Sequence, residues 1–110
     1  MQMYEYQLEA VKTRNDNADL LYLTGKLSAE AAEASQHVLK QRYHGKPLNT
    51  AELLEEIGDC LWYIANVCAM LDVTMESVAT DNIAKLRKRH GESYNPAHYQ
   101  ALNLFDGGSA

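Results

Sequence analysis

Two stretches with helical periodicity, separated by one breaker, constrain the fold of this chain more than any other feature. Residues 18–43 and 50–71 carry apolar side chains at spacings of three and four, the pattern of amphipathic helices. Between them stands His44-Gly45-Lys46-Pro47. Glycine permits the positive φ of a helix end, and proline cannot continue the hydrogen-bond ladder. The pattern therefore predicts two long helices that fold back on each other.

Each of these predicted helices carries an acidic pair beside its apolar stripe. The pairs are Glu30 with Glu33 and Glu56 with Asp59. Three-residue spacing places the members of a pair about one turn apart on the same side of a helix. Four carboxylates that converge cannot all stay ionised without raised pKa values or a cation among them. The pattern therefore predicts a metal site, and ligation by oxygen alone favours magnesium or manganese over zinc.

The apolar stripes predict which side chains form the core. On the earlier of the two helices they are Leu27, Ala31, Ala34 and Val38. On the later helix they are Leu53, Ile57, Cys60, Leu61, Ile64, Val67, Cys68 and Leu71. Because the acidic pairs adjoin these stripes on a helical projection, we expect the carboxylates to border the core.

Polar residues mark the starts of both long helices. We expect Asp16 or Asn17 to cap the earlier helix, since a side-chain oxygen there can accept a hydrogen bond from a free amide of the first turn. The pattern Asn49-x-x-Glu52 predicts a capping box at the start of the later helix.

Shorter helices are predicted at both ends of this pair, within residues 1–12 and over about 75–90. No strand pattern competes with them. The sequence therefore predicts an all-α fold, a compact bundle of about four helices per subunit with a short N-terminal helix and an irregular C-terminal tail. A length of 110 residues suffices for one core, so we place one domain at 1–95 and the tail at 96–110.

Composition disfavours several classes of partner. Lys plus Arg number 10 against 15 Asp plus Glu, and the net charge of -5 argues against nucleic acid and anionic membranes. No apolar run approaches the roughly 20 residues that cross a bilayer, and residues 1–9 lack the pattern of a signal peptide. We therefore expect a cytoplasmic protein without nucleic-acid or membrane partners. Cys60 and Cys68 are expected to be reduced, because eight residues of helix hold them about 12 Å apart.

The last predicted helix ends in a basic cluster. Asn82, Lys85 and Arg89 fall at i, i+3 and i+7, so they share one side of that helix. Beside a metal, this stripe predicts a site for a metal-bound polyphosphate. Basic residues at a helix C-terminus are also common as exposed complements of the helix dipole.

Plainer interpretations apply to several of these residues. Acidic pairs at three-residue spacing are common on solvated helix faces, so either pair alone is weak evidence for a metal. His37 lies near the acidic stripe, where a histidine is more often a surface or supporting residue than a ligand. Tyr63 and Trp62 fit packing at the edge of the core better than they fit base stacking.

Three motifs occur in a fixed order along the chain. They are Glu30-Ala-Ala-Glu33, Glu56-Ile-Gly-Asp59-Cys-Leu-Trp-Tyr63 and Asn82-Ile-Ala-Lys85-Leu-Arg-Lys-Arg89. This ordered triplet resembles the MazG-like nucleotide pyrophosphohydrolases of the all-α NTP pyrophosphatase superfamily. The likeness covers about residues 6–94 and is far more specific than either acidic pair.

The resemblance implies hydrolysis of a nucleoside triphosphate to the monophosphate and pyrophosphate, with Mg2+ as cofactor and Mn2+ as a substitute. It implies catalytic metal ligands at Glu30, Glu33, Glu56 and Asp59. It implies substrate contacts at Tyr63, Asn82, Lys85 and Arg89. It also implies a homo-oligomer, a dimer or tetramer with the site near a subunit interface, that acts in nucleotide pool control or in the removal of damaged nucleotides.

Two alternatives remain open at this point. One is a dUTPase-like or dCTPase-like helical nucleotide hydrolase, and the other is a non-catalytic helical oligomer that binds nucleotides. Base preference is equally open, and the candidates for base contacts are Gln7, Thr13, Arg14 and Trp62.

Overall fold

The computed structural model describes residues 1–91, which contain four α-helices and no strand. The helices are α1 (Met3–Lys12), α2 (Leu20–His44), α3 (Thr50–Met70) and α4 (Met75–His90). The all-α class and the short N-terminal helix are therefore confirmed. The predicted tail at 96–110 lies outside the described residues, and the domain boundary at 95 stays a prediction.

The connection between α2 and α3 forms as the sequence predicts. Gly45 follows α2 with φ 65 and ψ 16, in the left-handed region that a residue with a Cβ rarely adopts. At the other end of the connection, the Asn49 side-chain oxygen accepts a hydrogen bond from the Glu52 backbone N–H at 3.1 Å. Local chemistry therefore sets both ends of this turn.

The predicted cap of α2 is wrong. The helix begins at Leu20, and Asp19 caps it by accepting a hydrogen bond from the Tyr22 N–H at 2.8 Å. The segment before Asp19 forms turns of its own. The Asn15 side chain accepts a hydrogen bond from the Asn17 N–H at 2.9 Å, and the Asn15 carbonyl accepts one from the Ala18 N–H at 3.0 Å. Asp16 and Asn17 consequently precede the helix rather than cap it.

The chain divides into two compact units, residues 1–76 and the part that begins at Ser77. In the first unit, α3 packs against both α2 and α1. Residues later on α2 meet residues earlier on α3, since Glu30 lies near Glu56 whereas His37 approaches Glu52. The two long helices therefore run antiparallel, as predicted.

The buried core of the first unit is small and lies where α1 meets α3. Its buried members are Ala10, Ala65, Cys68 and Met75, and Tyr6, Leu61 and Trp62 pack against them. Leu23 of α2 is also fully buried. Cys60 and Cys68 are both free thiols, as predicted.

Much of the predicted core stripe is exposed in the single chain. Ile57 is 51% exposed, and Val38, Ile64 and Leu71 are exposed as well. One helix covers only part of a broad apolar stripe on a neighbouring helix. The stripe of α3 therefore extends beyond the area that α1 and α2 cover. The prediction that these residues are buried is therefore wrong for one chain alone.

A buried glutamine fastens α1 to the connection between α3 and α4. The Gln7 side-chain amide donates to the Val73 carbonyl at 2.9 Å, and its oxygen accepts from the Met75 N–H at 3.0 Å. The amide nitrogen and the amide oxygen of Gln7 are thus both used within the first unit. They satisfy a backbone carbonyl of the connection and a free backbone N–H at the start of α4.

No helix among residues 1–91 is by itself long and apolar enough to cross a membrane. The bent pair of α3 and α4 meets that criterion when its two segments are counted together, on length and composition alone. The cytoplasmic location stays a prediction.

Candidate metal centre

Three of the four predicted ligands meet where α2 crosses α3. Glu30 and Glu33 of α2 and Glu56 of α3 each offer one carboxylate oxygen, and these oxygens lie within 4.8 Å of one another. Glu30 and Glu56 are half-buried, whereas Glu33 is exposed. The acidic edges of the two helices therefore face each other, as the sequence predicts.

The crowding of these carboxylates changes the acidity of Glu56. Its pKa rises from the ordinary value of 4.5 to about 7. Hydrogen bonding to the Glu30 carboxyl is the largest cause, followed by loss of hydration on burial and then by hydrogen bonding to Glu33 and the negative charges of Glu33 and Glu30. Near neutral pH, Glu56 therefore exchanges readily between a protonated and an ionised form.

Asp59, the fourth predicted ligand, lies outside this group of three and borders a neighbouring cavity. The cavity has a volume of about 400 Å³ and is lined by Thr13, Glu30, Asp59, Trp62 and Tyr63. Glu30 thus belongs to both the carboxylate cluster and the cavity. Asp59 is consequently placed beside the cluster, one turn along α3 from Glu56.

Two aromatic side chains form one wall of this cavity. The Trp62 and Tyr63 rings meet edge to face, with centroids 4.9 Å apart. Trp62 donates from its indole N–H to the Thr13 hydroxyl at 2.8 Å, and this hydroxyl donates to the Ala10 carbonyl at 2.8 Å. The end of α1 is thereby tied to α3 next to the carboxylates.

Burial and the nearby carboxylates keep other groups neutral. The pKa of Tyr63 is raised, first by burial and then by Tyr22, Glu30 and Asp59. The pKa of the Cys60 thiol is raised by burial and by the charges of Glu30, Asp59 and Glu56. Tyrosine already keeps its hydroxyl proton at neutral pH, and the raised pKa of Tyr63 strengthens this state, so its hydroxyl can donate a hydrogen bond into the cavity that it lines.

The structure separates the candidates for base contacts. Gln7 is wrong as a candidate, because it is buried and both of its amide groups are bonded to Val73 and Met75. Thr13 and Trp62 line the cavity beside Glu30. Arg14 is half-buried, and its Nη1 finds no hydrogen-bond acceptor among residues 1–91.

The predicted phosphate contacts lie on α4. Asn82, Lys85 and Arg89 are all exposed and belong to the unit that begins at Ser77. Their role stays a prediction.

A histidine that the sequence placed only near the acidic stripe proves to contact it. His37 Nδ1 lies 3.7 Å from Glu52 Oε2, and His37 Nε2 lies 3.9 Å from Glu56 Oε1. The available signal was spacing, since His37 follows Glu33 by four residues and Glu56 follows Glu52 by four. Antiparallel packing brings the two series together.

The chemistry of the cluster fits a hard divalent cation. Its three potential ligands are all carboxylate oxygens, which suit magnesium or manganese better than zinc. Without a proton shared with Glu30 or Glu33, Glu56 Oε2 is buried and has no hydrogen-bond donor in the described part of the chain. A buried carboxylate oxygen is costly unless a proton or a cation neutralises it, and either one fits here.

Comparisons with known proteins bear on this site. A protein-family model described as MazG nucleotide pyrophosphohydrolase domain matches residues 18–93. The "Gene 37 protein" of Mycobacterium phage L5 is 35% identical over 74 residues, which cover 64% of this chain and 65% of that protein. The match thus spans less than two thirds of that relative's length. No solved structure gives a significant match.

Proposed function

We propose, because the chain belongs to the MazG nucleotide pyrophosphohydrolase family, that it hydrolyses nucleoside or deoxynucleoside triphosphates to the monophosphate and pyrophosphate. The observation that carries the proposal is the convergence of Glu30, Glu33 and Glu56 from two helices on one point. A chance pair of solvated acidic faces gives no reason for such a convergence, since like charges repel.

In this proposal the carboxylates hold Mg2+, for which Mn2+ substitutes. Glu30, Glu33 and Glu56 provide the oxygens that lie closest together, and Asp59 adds a fourth from the adjacent cavity. When bound, the metal supplies charge that neutralises phosphate oxygens and lowers the pKa of a water molecule. Glu56 gives up its proton as the site is filled, because the cation replaces the proton as the partner of the carboxylate.

The remaining roles follow from the chemistry of the side chains. Tyr63 donates a hydrogen bond from its hydroxyl, which is protonated at neutral pH. Lys85 and Arg89 bind phosphate oxygens through charge-assisted hydrogen bonds, and Asn82 adds a neutral donor. The charge that develops on the leaving pyrophosphate is then balanced by cationic groups of the chain.

The proposal includes a homo-oligomer, a dimer or tetramer. The apolar stripe of α3 supports it, because Leu54, Ile57 and Ile64 are all exposed in the single chain. Several large apolar side chains exposed on one helix are typical of a surface that a partner covers. We place the enzyme in nucleotide pool control or in the removal of damaged nucleotides, within the cytoplasm.

The test is pyrophosphate release from a panel of canonical and modified triphosphates with Mg2+. Wild-type protein is expected to release pyrophosphate and monophosphate in equal amounts. Glu56→Gln is expected to lose at least about a hundredfold in rate, comparable to loss of one electrostatic contact in a preorganised site. Glu5→Gln on α1 is the matched control and is expected to keep full activity.

The outcomes separate the remaining alternatives. Consumption restricted to dUTP or dCTP identifies a specialised hydrolase. Stabilisation by a triphosphate without product identifies a binding oligomer, because a ligand that prefers the folded state raises the melting temperature whether or not it reacts. Undiminished turnover in Glu56→Gln contradicts the proposed role of the cluster.

A further inference from the structure

The ring of His37 lies between two carboxylates that are one turn apart on α3. Its Nδ1 approaches Glu52 Oε2 at 3.7 Å and its Nε2 approaches Glu56 Oε1 at 3.9 Å. The His37 side chain is 18% exposed and that of Glu56 is 20% exposed, so this contact is shielded from water. Both distances are longer than a hydrogen bond and lie within the range of an ion pair with a protonated ring.

The two oxygens of Glu56 differ in their surroundings. Oε1 is the atom near His37, whereas Oε2 is buried and, when Glu56, Glu30 and Glu33 are all ionised, has no hydrogen-bond donor among residues 1–91. In such a carboxylate, the oxygen that lies away from the imidazole is the one available to a cation. Rotation of this group about its terminal torsion would exchange the two oxygens, and that torsion is soft in an unrestrained glutamate.

His37 is not itself a member of the cluster. Among the described residues, the ligand atoms that lie within 4.8 Å of one another belong to Glu30, Glu33 and Glu56. His37 lines a cavity of about 260 Å³ with Glu33 and Glu56, on the side of α2 that faces α3. The cavity gives the Glu56 carboxylate space to turn if the imidazole ring is removed.

We propose that His37 is a positioning residue of the metal centre, whose Nε2 edge holds Glu56 Oε1 so that Oε2 is presented to the cation. Glu52 holds the opposite edge of the ring and fixes its plane. Side chains that hold a ligand in this way typically change metal affinity by 10- to 100-fold when they are removed. This inference rests on the proposed function, because it concerns the same metal site.

Substitutions of His37 separate positioning from simple packing. Glutamine carries a nitrogen at the ε position and can replace the contact to Glu56. Asparagine carries a nitrogen at the δ position and can replace the contact to Glu52 alone. Alanine replaces neither. Asparagine is also smaller than glutamine, so His37→Leu, which is close to glutamine in size but carries no nitrogen, is the packing control. If His37 only fills space, His37→Leu and His37→Gln should behave alike.

The measurement is Mn2+ binding to the full chain without nucleotide, followed by electron paramagnetic resonance. His37→Ala and His37→Asn are expected to bind about tenfold more weakly than wild type, the lower end of the range for such residues because the contact is long. His37→Gln is expected to restore affinity close to wild type. Gln36→Ala, which alters the same cavity wall, is the matched control and should bind as wild type does.

Each outcome has one meaning. Absence of Mn2+ binding by wild type overturns the proposed metal centre. Tight binding by wild type with equal affinity in His37→Asn overturns the positioning role and leaves the metal centre intact. Equal loss in His37→Gln and His37→Ala overturns it as well, since a donor at the ε position would then have no effect. Equal affinity in His37→Leu and His37→Gln also overturns it, and this comparison decides alone if His37→Ala does not fold.

Discussion

Glu56 retains a proton at a pH where most carboxyl groups have lost theirs, and this follows from its neighbours. Hydrogen bonding to Glu30, burial and the nearby charge of Glu33 raise its pKa to about 7. A group in this position must be neutralised by a proton or by a cation. Protons and divalent ions therefore compete for the same oxygen, and pH and metal should act on the protein in linked ways.

The raised pKa predicts how stability depends on pH without metal. Between about 4.5 and 7 the folded chain holds a proton on Glu56 that the unfolded chain has released. The contribution of Glu56 to stability is therefore fully present below 4.5 and is lost as pH rises through 7. Melting temperatures in chelator should show this loss in wild type, and Glu56→Gln should lack it.

The comparison with Glu56→Gln isolates this effect from other titrating groups. The difference in melting temperature between wild type and variant should change most between pH 4.5 and 7. Addition of Mg2+ at pH 8 should restore stability to wild type alone. A difference that stays constant with pH would contradict the assigned state of Glu56.

Helix boundaries and faces were predictable to the extent that local chemistry sets them. The start of α3 matches the prediction because Asn49 caps this helix. Both ends of α4 match as well, because helical periodicity defines that helix. The start of α2 does not match the prediction. Asp16, Asn17 and Asp19 can all cap a helix, and the turns within residues 13–18 leave Asp19 as the residue at the cap position.

The acidic cluster was predictable in composition but not in geometry. Periodicity places Glu30, Glu33, Glu56 and Asp59 on facing edges. Which oxygens meet depends on the rotation of each helix about its axis and on the distance between axes, and both depend on packing across the pair. Asp59 consequently borders the adjacent cavity instead of joining the closest three. The hydrogen bond between Trp62 and Thr13 was equally unpredictable from the sequence, since it joins residues 49 positions apart.

The attachment of α1 predicts a measurable loss of stability. Gln7→Leu keeps the size of the side chain but removes both hydrogen bonds and leaves the Met75 N–H without its acceptor. An unpaired buried backbone group costs about 1–3 kcal/mol, so unfolding in urea should show a loss in that range.

A surface glutamine provides the control. Gln41→Leu on α2 alters an exposed side chain and should change the free energy of unfolding by less than about 0.5 kcal/mol. Equal effects of the two substitutions would contradict the structural role of Gln7.

The single chain leaves a large apolar surface uncovered. Leu54 is 61% exposed and Ile57 is 51% exposed, although α3 also packs against α1 and α2. Assembly could not be read from periodicity, because a core stripe and an interface stripe have the same spacing. The proposed oligomer is thus the simplest explanation for the excess of apolar residues on α3.

A charge placed on this surface should dissociate the oligomer. Leu54→Lys is expected to shift the mass measured by light scattering to that of one chain, because a partner would have to bury an unpaired cation. Leu8→Lys is the matched control, since Leu8 is 47% exposed but lies on α1. A monomeric wild type, or equal dissociation in both variants, would contradict the assignment of the interface.

The most direct measurement is an anomalous diffraction map from crystals grown with Mn2+. We expect a peak within coordination distance of carboxylate oxygens of Glu30, Glu33 and Glu56, because manganese prefers oxygen ligands. A map without a peak between α2 and α3, at a manganese concentration that fills known sites, would contradict the assignment of this cluster as a metal centre.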